Sequence, residues 1–343
     1  MLKRLLTPRN ILMIYMIVIG TVFIVIVLRL LPQCTIDDGS STALETHLRT
    51  WELALQSAEI ELRRYEQAIP PVLLQRSIVS SYIDAHRTEL PMIYVITPTY
   101  ARSTQKADLT RLVNTLLHVS RLHWVLVEDA AEKSTLVARL LQFSRLAYTH
   151  LSVVTPVEYQ RNESDPRWYR PRGVLQRNAG IEWIRKVKPS GNKGVIYFAD
   201  DDNSYDVRLF AEMRHTLRVS VWPVGLVGNL RYEKPIVNAR RVTGWFTYWK
   251  PQRRFATDMA GFAISIRLLF EHPTAEFSST SRRGEQESDF LAQLLVGIEE
   301  LEPKANNCSE VLVWHTRTEP SNLSNELKLK RKGLTGSDPS IEV

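Results

Sequence analysis

The 343-residue chain contains only two cysteines, and it lacks the common glycine-rich phosphate-binding motifs. Two cysteines exclude a fold held together by many disulfides, and their spacing matches no zinc site. No Gly-x-Gly-x-x-Gly follows the first predicted strand, and no Gly-Lys-Ser/Thr loop occurs in the sequence. These absences disfavour a dinucleotide-binding dehydrogenase and a P-loop ATPase.

Charged residues are also absent from Ile11 to Leu28. As a helix rising about 1.5 Å per residue, this segment would reach roughly 27 Å, close to the thickness of a bilayer core. Basic residues and no acidic ones precede it. The pattern predicts a cytoplasmic tail at 1–10 and a transmembrane signal anchor at 11–28, with the rest of the chain across the membrane. A cleaved signal peptide is the alternative, disfavoured because no small-x-small cleavage site follows the run.

Residues 29–90 are predicted to form a stem. Apolar residues in this stretch alternate steps of four and three, at Leu44, Leu48, Trp51, Leu55, Ala58, Leu62, Tyr65 and Ile69. This spacing is typical of a coiled coil over 44–69, although a single amphipathic helix packed on the main domain has the same pattern. In a parallel dimer, Cys34 could form an interchain disulfide in an oxidising lumen, whereas an unpaired or lipidated thiol is the plainer alternative.

The remaining residues, 91–343, alternate between strand and helix patterns. Strands are predicted at 92–97, 124–127, 151–154 and just before Asp200, with helices at 108–119, 136–147 and 176–187. This order predicts an α/β fold with a mostly parallel, doubly wound sheet. In the less regular second half, helices are predicted at 259–271 and 287–296, and a strand at 311–314.

Three adjacent carboxylates, Asp200, Asp201 and Asp202, follow the fourth strand. Like charges side by side raise one another's pKa, and a magnesium or manganese ion would relieve the conflict. Ligands in open α/β sheets bind at the carboxyl ends of strands, where this triplet lies. The alternative is an acidic turn that caps a helix beginning near Asp206. An EF-hand is disfavoured, because Tyr205 and Asp206 occupy positions that need a ligand and a glycine.

Other residues at predicted strand ends suit a nucleotide. Tyr100 and Asp129 could hold a base and its ribose beside a metal-bound diphosphate, although packing and helix capping are equally ordinary roles for them. Arg172 and Arg177 could bind phosphate or a sugar carboxylate. Aromatic residues in the second half, Trp245, Tyr248 and Trp249, suit a sugar site, but a core position is favoured for Trp245.

Several collinear motifs resemble the β-1,3-glucuronosyltransferases. They are Ile96-Thr97-Pro98-Thr99-Tyr100, Val127-Glu128-Asp129-Ala130, Pro171-Arg172-Gly173, Phe198-Ala199-Asp200-Asp201-Asp202-Asn203, Asp258-Met259-Ala260-Gly261 and Val313-Trp314-His315-Thr316-Arg317. The resemblance runs from about Met92 to the end of the chain. It implies a GT-A type fold and an inverting, manganese-dependent transfer of glucuronic acid from UDP-glucuronate to the 3-hydroxyl of a terminal galactose. The acceptor it implies is the galactosyl-galactosyl-xylosyl linker of proteoglycans, with N-acetyllactosamine ends of glycoproteins as the alternative.

The resemblance also implies residue roles. Asp202 would bind the metal, and Glu287 would be the catalytic base, although a helix cap is the simpler physical reading of Glu287. Acceptor binding is implied for Glu233, Arg253 and Asp258. Donor binding is implied for Pro98, Thr99, Tyr100, Asp129, Arg172, Arg177, Asp200, Asp201, His315, Thr316 and Arg317.

The sequence also bears on the cellular location of the protein and on two alternative functions. The sequons at Asn162, Asn307 and Asn322 are compatible with lumenal exposure. The resemblance implies a Golgi type II membrane protein that forms a homodimer. An inactive membrane-anchored lectin is one rival, and it would not need a positioned base. A nucleic-acid-binding protein is another, prompted by the net charge of +7, but the anchor and sequons oppose it.

Overall fold

The computed structural model describes residue 56 and residues 90–160, 171–187, 193–319, 321–338 and 341–343. The predicted anchor at 11–28, the coiled coil apart from residue 56, and the residues Cys34 and Asn162 lie outside them. Within the described residues, no helix is both long and apolar enough to cross a bilayer. The described ranges from 90 onward belong to one compact unit, Ser80–Val343.

The described strands form two sheets. They are β1 (Met92–Thr99), β2 (Leu122–Glu128), β3 (Ala147–Ser152), β4 (Gly194–Phe198), β5 (Ser204–Tyr205), β6 (Val219–Val221), β7 (Val224–Gly225), β8 (Tyr232–Asn238), β9 (Arg241–Phe246), β10 (Phe262–Ser265), β11 (Leu301–Pro303) and β12 (Val313–Trp314). The larger sheet has the order β11-β6-β10-β4-β1-β2-β3, and the smaller has the order β5-β12-β7-β8-β9.

Along the sequence, most of the described helices lie between strands of the larger sheet. They are α1 (Gln105–Leu116), α2 (Thr135–Ser144), α3 (Val174–Val187), α4 (Arg208–Met213), α5 (Ile266–Glu271), α6 (Gln286–Ala292) and α7 (Ser324–Arg331). Short 3-10 turns lie at Val157–Tyr159, Met259–Gly261 and Ile298–Glu300, and a helical turn with positive φ angles lies at Ala305–Cys308.

Side chains of β1 alternate between two hydrophobic clusters, one on each face of the larger sheet. Ile93 and Val95 pack in the cluster that contains apolar residues of α1 and α2. Tyr94 and Ile96 pack in the cluster that contains apolar residues of α3 and α6. Alternation with a period of two is expected of a strand covered on both faces. The predicted doubly wound arrangement is confirmed, and β10 alone in this sheet runs antiparallel to the other strands.

The predicted helix at 259–271 was wrong in its middle. Phe262–Ser265 is the strand β10, paired with β4 on one side and β6 on the other, between the 3-10 turn Met259–Gly261 and the α-helix Ile266–Glu271. Phe262 and Ile264 are fully buried in the middle of the sheet. Tertiary pairing therefore outweighs the local helical pattern. The sequence analysis also missed the hairpin of β8 and β9, which joins through Ala239 and Arg240 with positive φ angles.

The carboxyl ends of β1, β2 and β4 lie at one edge of the larger sheet, because β1 pairs in parallel with both neighbours. Thr99 is aligned with Glu128, and Ile96 is aligned with Phe198. The residues that follow these strands, from Tyr100, Asp129 and Asp200 onward, therefore leave the sheet at the same edge.

Candidate active site

Asp201 is the most buried carboxylate of the acidic triplet. Its oxygens accept hydrogen bonds from Thr99 Oγ1 at 2.6 Å and from Arg102 Nη2 at 2.8 Å. Burial raises the pKa of Asp201, against the opposing effect of Arg102 and Thr99. Asp201 is thus held at the end of β1 by two partners before any ligand binds.

Asp200 is bound by an arginine from helix α3. Arg177 Nη2 lies 2.5 Å from Asp200 Oδ1, and Arg177 Nη1 donates to the carbonyl of Arg172 at 2.8 Å. Arg177 can lie this close to the chain because residue 173 is glycine. A Cβ on Gly173, which has φ +71°, would approach Arg177 Nη1 to 2.8 Å and Pro98 to 3.1 Å.

Asp202 differs from the other two carboxylates of the triplet, because it makes no ion pair with any described residue. The hydroxyl of Thr316 donates to its backbone carbonyl at 2.6 Å, which ties the chain after β12 to the triplet. Burial and the charge of Asp200 raise the pKa of Asp202. A carboxylate in this situation gains stability from a nearby cation.

The donor set fits a metal only together with a ligand. No group of three or more histidine, cysteine or acidic side chains among the described residues is arranged to hold an ion. Arginines already pair with Asp200 and Asp201, so within the described residues Asp202 is the carboxylate of the triplet without a cationic partner. Magnesium-like ions commonly use one or two protein carboxylates and complete their shell with phosphate and water. The residues present therefore fit a divalent ion that binds jointly with a diphosphate.

A cleft of about 230 Å³ lies beside the triplet. The residues that line it and carry charge are Arg172, Arg177, Asp200, Asp258, Arg282, Arg283, Glu287 and His315. They come from α3 and the loop before it, the residues after β4, the N-terminus of the 3-10 turn at Met259–Gly261, the first turn of α6 and the loop before it, and the residue after β12. Segments distant in sequence thus bring both signs of charge into one concave site, as small-molecule sites commonly do.

Asp258 and His315 form an ion pair in this cleft. His315 Nδ1 lies 3.2 Å from Asp258 Oδ2, and the N–H of Ala260 donates to Asp258 Oδ1 at 3.0 Å. Burial opposes ionisation of Asp258, but His315 and the Ala260 N–H together hold its pKa below the usual value. The charge of Asp258 in turn raises the pKa of His315 to about 9, despite burial. His315 is therefore a cation at neutral pH.

Glu287 lies in the first turn of α6 and faces the same cleft. Burial, together with the charge of Asp258, raises its pKa to about 7, although Arg253 and Arg177 act in the opposite direction. A carboxyl with a pKa near neutrality can accept a proton at physiological pH. The backbone N–H of Glu287 also lowers this pKa, as a helix N-terminus does for an ordinary cap, but burial and Asp258 outweigh it.

Tyr100 and Asp129 lie at neighbouring strand ends. Tyr100 is 46% exposed, and the guanidinium carbon of Arg102 lies 4.7 Å from the centre of its ring. Asp129 accepts two hydrogen bonds from Thr155, each of 2.7 Å, from the backbone N–H and from the hydroxyl. Pro98 and Thr99 directly precede Tyr100 at the end of β1.

Other predicted residues do not line the cleft. Glu233 is buried in β8, where it accepts from Thr247 Oγ1 at 2.5 Å, and it does not line the cleft. Arg253 donates to the carbonyl of Gly284 at 2.6 Å, at the edge of the loop before α6. Arg317 is exposed, and so are the sequon residues Asn307 and Asn322.

Sequence reasoning missed Arg102 and Asp108, which contact the triplet and the chain after β12. Arg102 Nη2 lies 2.8 Å from Asp108 Oδ2 as well as from Asp201. Asp108 is 1% exposed and also accepts from Thr318 Oγ1 at 2.7 Å. The signal that was available is an aspartate on an otherwise apolar helix face, beside Leu109 and Leu112.

Comparison with known proteins gives consistent matches. A sequence profile described as glycosyltransferase family 43 matches residues 112–319. The mouse protein named galactosylgalactosylxylosylprotein 3-beta-glucuronosyltransferase 3 is 49% identical over 311 residues, which is 88% of this chain and 89% of that protein. The human protein named galactosylgalactosylxylosylprotein 3-beta-glucuronosyltransferase 2 is 55% identical over 243 residues, which is 70% of this chain and 73% of that protein.

Solved structures show a weaker similarity. The crystal structure of S. aureus TarS 1-349 in complex with UDP-GlcNAc aligns with a TM-score of 0.42 at 14% identity. The alignment covers 68% of this chain and 60% of that chain. A similarity this remote has no bearing on the site.

Proposed function

Because this chain belongs to glycosyltransferase family 43, we propose that it transfers glucuronic acid from UDP-glucuronate to the 3-hydroxyl of a terminal galactose, with inversion. The names of its mouse and human relatives support this transfer, and they favour the galactosyl-galactosyl-xylosyl linker as the acceptor. N-Acetyllactosamine ends of glycoproteins are the alternative acceptor.

The observation that carries the proposal is the placement of Glu287. Its carboxyl, with a pKa of about 7, lines the same cleft as Arg177, Asp200 and His315. A single displacement requires one base that takes the proton of the attacking hydroxyl. The hydroxyl oxygen then bonds to the anomeric carbon as the bond from that carbon to the diphosphate breaks. Glu287 is assigned as this base.

Cationic residues on the donor side would bind the departing nucleotide. Arg172, Arg177 and His315 line the cleft beside Asp200, and Arg317 follows His315 along the chain. Positive groups placed before the reaction stabilise charge that develops on a leaving diphosphate. Asp202 would hold a manganese ion together with that diphosphate, and the ion would neutralise part of its charge.

The remaining residues are assigned to donor binding or to acceptor binding. Tyr100, Asp129, Pro98 and Thr99 would hold uracil, and Asp200 and Asp201 the ribose and donor sugar. Acceptor-side roles go to Glu233, Arg253 and Asp258. The donor-binding part would be about 91–203 and the acceptor-binding part about 204–343. We further propose a Golgi type II membrane protein that forms a homodimer, with its catalytic part in the lumen.

One assay tests the proposal. The full chain is incubated with UDP-glucuronate and manganese, and the release of UDP is measured with galactosyl-galactose or N-acetyllactosamine as the acceptor. Faster release with galactosyl-galactose is the expected result. Binding of the sugars without UDP release would indicate a lectin, and this would overturn the proposal. A preference for N-acetyllactosamine would keep the reaction and change the acceptor.

A further inference from the structure

Arg102 connects the acidic triplet to the predicted nucleotide subsite, and it has none of the roles assigned above. Its Nη2 lies 2.8 Å from Asp201 Oδ1 and 2.8 Å from Asp108 Oδ2. Its guanidinium carbon lies 4.7 Å from the centre of the Tyr100 ring, and its Nη1 donates to the carbonyl of Tyr100 at 3.2 Å. One planar cation therefore contacts both the aromatic ring and a carboxylate of the triplet.

We propose that Arg102 is a positioning residue for the nucleoside part of the donor, which orients the Tyr100 ring and the Asp201 carboxylate. This inference rests on the proposed function, because the nucleoside belongs to the nucleotide-sugar donor. A guanidinium over one face of an exposed tyrosine ring stabilises that ring orientation and leaves ring surface for a base. The same guanidinium keeps the Asp201 oxygen in one direction, as a charge-assisted hydrogen bond does.

Asp108 explains why Arg102 adopts this position. Asp108 is buried in α1 and accepts hydrogen bonds from Arg102, Thr104 and Thr318, at 2.8, 3.0 and 2.7 Å respectively. A buried carboxylate with several donors is held in a single orientation. Thr318 follows the His315–Arg317 stretch, so the same carboxylate also fixes the chain that supplies the diphosphate ligands.

A purely structural role is the alternative, in which Arg102 only neutralises two acids. In that case its loss would lower the unfolding temperature but would not change the affinity of a folded protein for uridine. A positioning role predicts that the folded variant binds uridine more weakly, because Tyr100 and Asp201 lose their preset geometry. Lysine is not an equivalent substitute, since an ammonium cannot bridge two carboxylates while lying flat on a ring.

The test uses the full chain and isothermal calorimetry with uridine and with UDP, in EDTA. Arg102→Gln is expected to weaken both ligands by the same factor, about 10-fold, as the loss of a cation–π contact and a charged hydrogen bond implies. The KM for UDP-glucuronate should rise by a similar factor, while kcat stays within about twofold, because the chemical step is distant.

Arg111→Gln is the matched control. Arg111 pairs with the same Asp108, but within the described part of the chain it bonds to neither Tyr100 nor Asp201, and its side chain is 59% exposed. The affinity of the Arg111→Gln variant for uridine should equal that of the wild type. If Arg102→Gln does not fold, Arg102→Lys decides, with an expected loss of at least about threefold, because lysine lacks the planar fork.

The outcomes separate the two proposals. A folded Arg102 variant that binds uridine as tightly as the wild type does would overturn the role of Arg102 and leave the proposed function standing. A wild-type protein that binds neither uridine nor UDP, with EDTA or with manganese, would overturn both. Equal losses in the Arg102 and Arg111 variants would show a general effect on Asp108, which would also overturn the role of Arg102.

Discussion

Nδ1 of His315 lies 3.2 Å from Oδ2 of Asp258, and Glu287 lines the same cleft. The negative charge of Asp258 favours the proton-bound form of both neighbours. It keeps His315 cationic and raises the tendency of Glu287 to remain neutral. One buried carboxylate thus affects both the group proposed to bind diphosphate and the group proposed to accept a proton.

The pH dependence of transfer should be bell-shaped. Glu287 must be deprotonated to act as a base, so the rate should rise as pH passes about 7. His315 must be protonated to bind diphosphate, so the rate should fall as pH passes about 9. Measuring kcat/KM from pH 5 to 10 checks both limbs. A rise centred near the ordinary pKa of glutamate would contradict the raised pKa of Glu287.

Asp258→Asn should move both limbs of this profile to lower pH. Without the negative charge of Asp258, the pKa of Glu287 should fall, because its ionised form is no longer repelled. The pKa of His315 should fall as well, because its cationic form loses its partner. NMR titration of His315 measures the second shift even if turnover becomes slow. Asp206→Asn is the control, because Asp206 pairs with Arg208 and does not line the cleft. If both limbs of the Asp258→Asn profile lie at the same pH as in the wild type, Asp258 does not set the pKa values of Glu287 and His315.

Glu287→Ala should keep UDP binding while transfer falls by about 100-fold or more, the usual contribution of a general base. Calorimetry with UDP and steady-state transfer rates measure the two effects separately. The matched variant is Asp289→Ala, which removes an exposed carboxylate from the same turn of α6. Asp289→Ala should transfer at the wild-type rate, and equal losses in the two variants would argue against a specific role for Glu287.

Asp202→Asn should abolish the gain in UDP affinity that manganese provides. The amide lacks the charge that binds a hard cation, whereas Asp200 and Asp201 stay paired with their arginines. UDP titrations with and without manganese test this directly. A manganese effect that persists in Asp202→Asn would assign the metal to another residue.

Gly180→Ala should destabilise the fold by about 1–3 kcal/mol, the typical cost of overpacking. An added Cβ would approach Ile96 Cγ2 to 2.6 Å, at the contact between α3 and β1. Gly244→Ala is the matched control, because its new Cβ would meet only Ile236 Cδ1, at 3.8 Å. Urea unfolding of both variants gives the comparison. Equal midpoints would show that helix α3 can move away from β1 at little cost.

Much of the first half of the fold was predictable from sequence. The strands 92–97 and 124–127 fall within β1 and β2, since both are apolar runs bounded by polar residues. The start of β3 was missed, because Arg145 takes a left-handed conformation that ends α2 early. The later strands were harder to predict. Phe262–Ser265 has a helical local pattern, and only its two partner strands make it β10.

The placement of the candidate site was only partly predictable. Residues that follow β1, β2 and β4 meet at one edge, because parallel strands present their carboxyl ends together. The partners of each carboxylate depend on side chains distant in sequence. Arg177 comes from α3 and Arg102 from the loop before α1, and neither pairing has a local signature.

The order of apolar and polar residues was sufficient to predict a parallel, two-sided sheet with acidic groups at its carboxyl edge, because strand and helix periods are local properties of the chain. The protonation behaviour of those groups required the folded structure. Asp258 and His315 are far apart in sequence, and Glu287 joins them only through folding. Burial and neighbouring charge set a pKa, and both arise from contacts between distant segments.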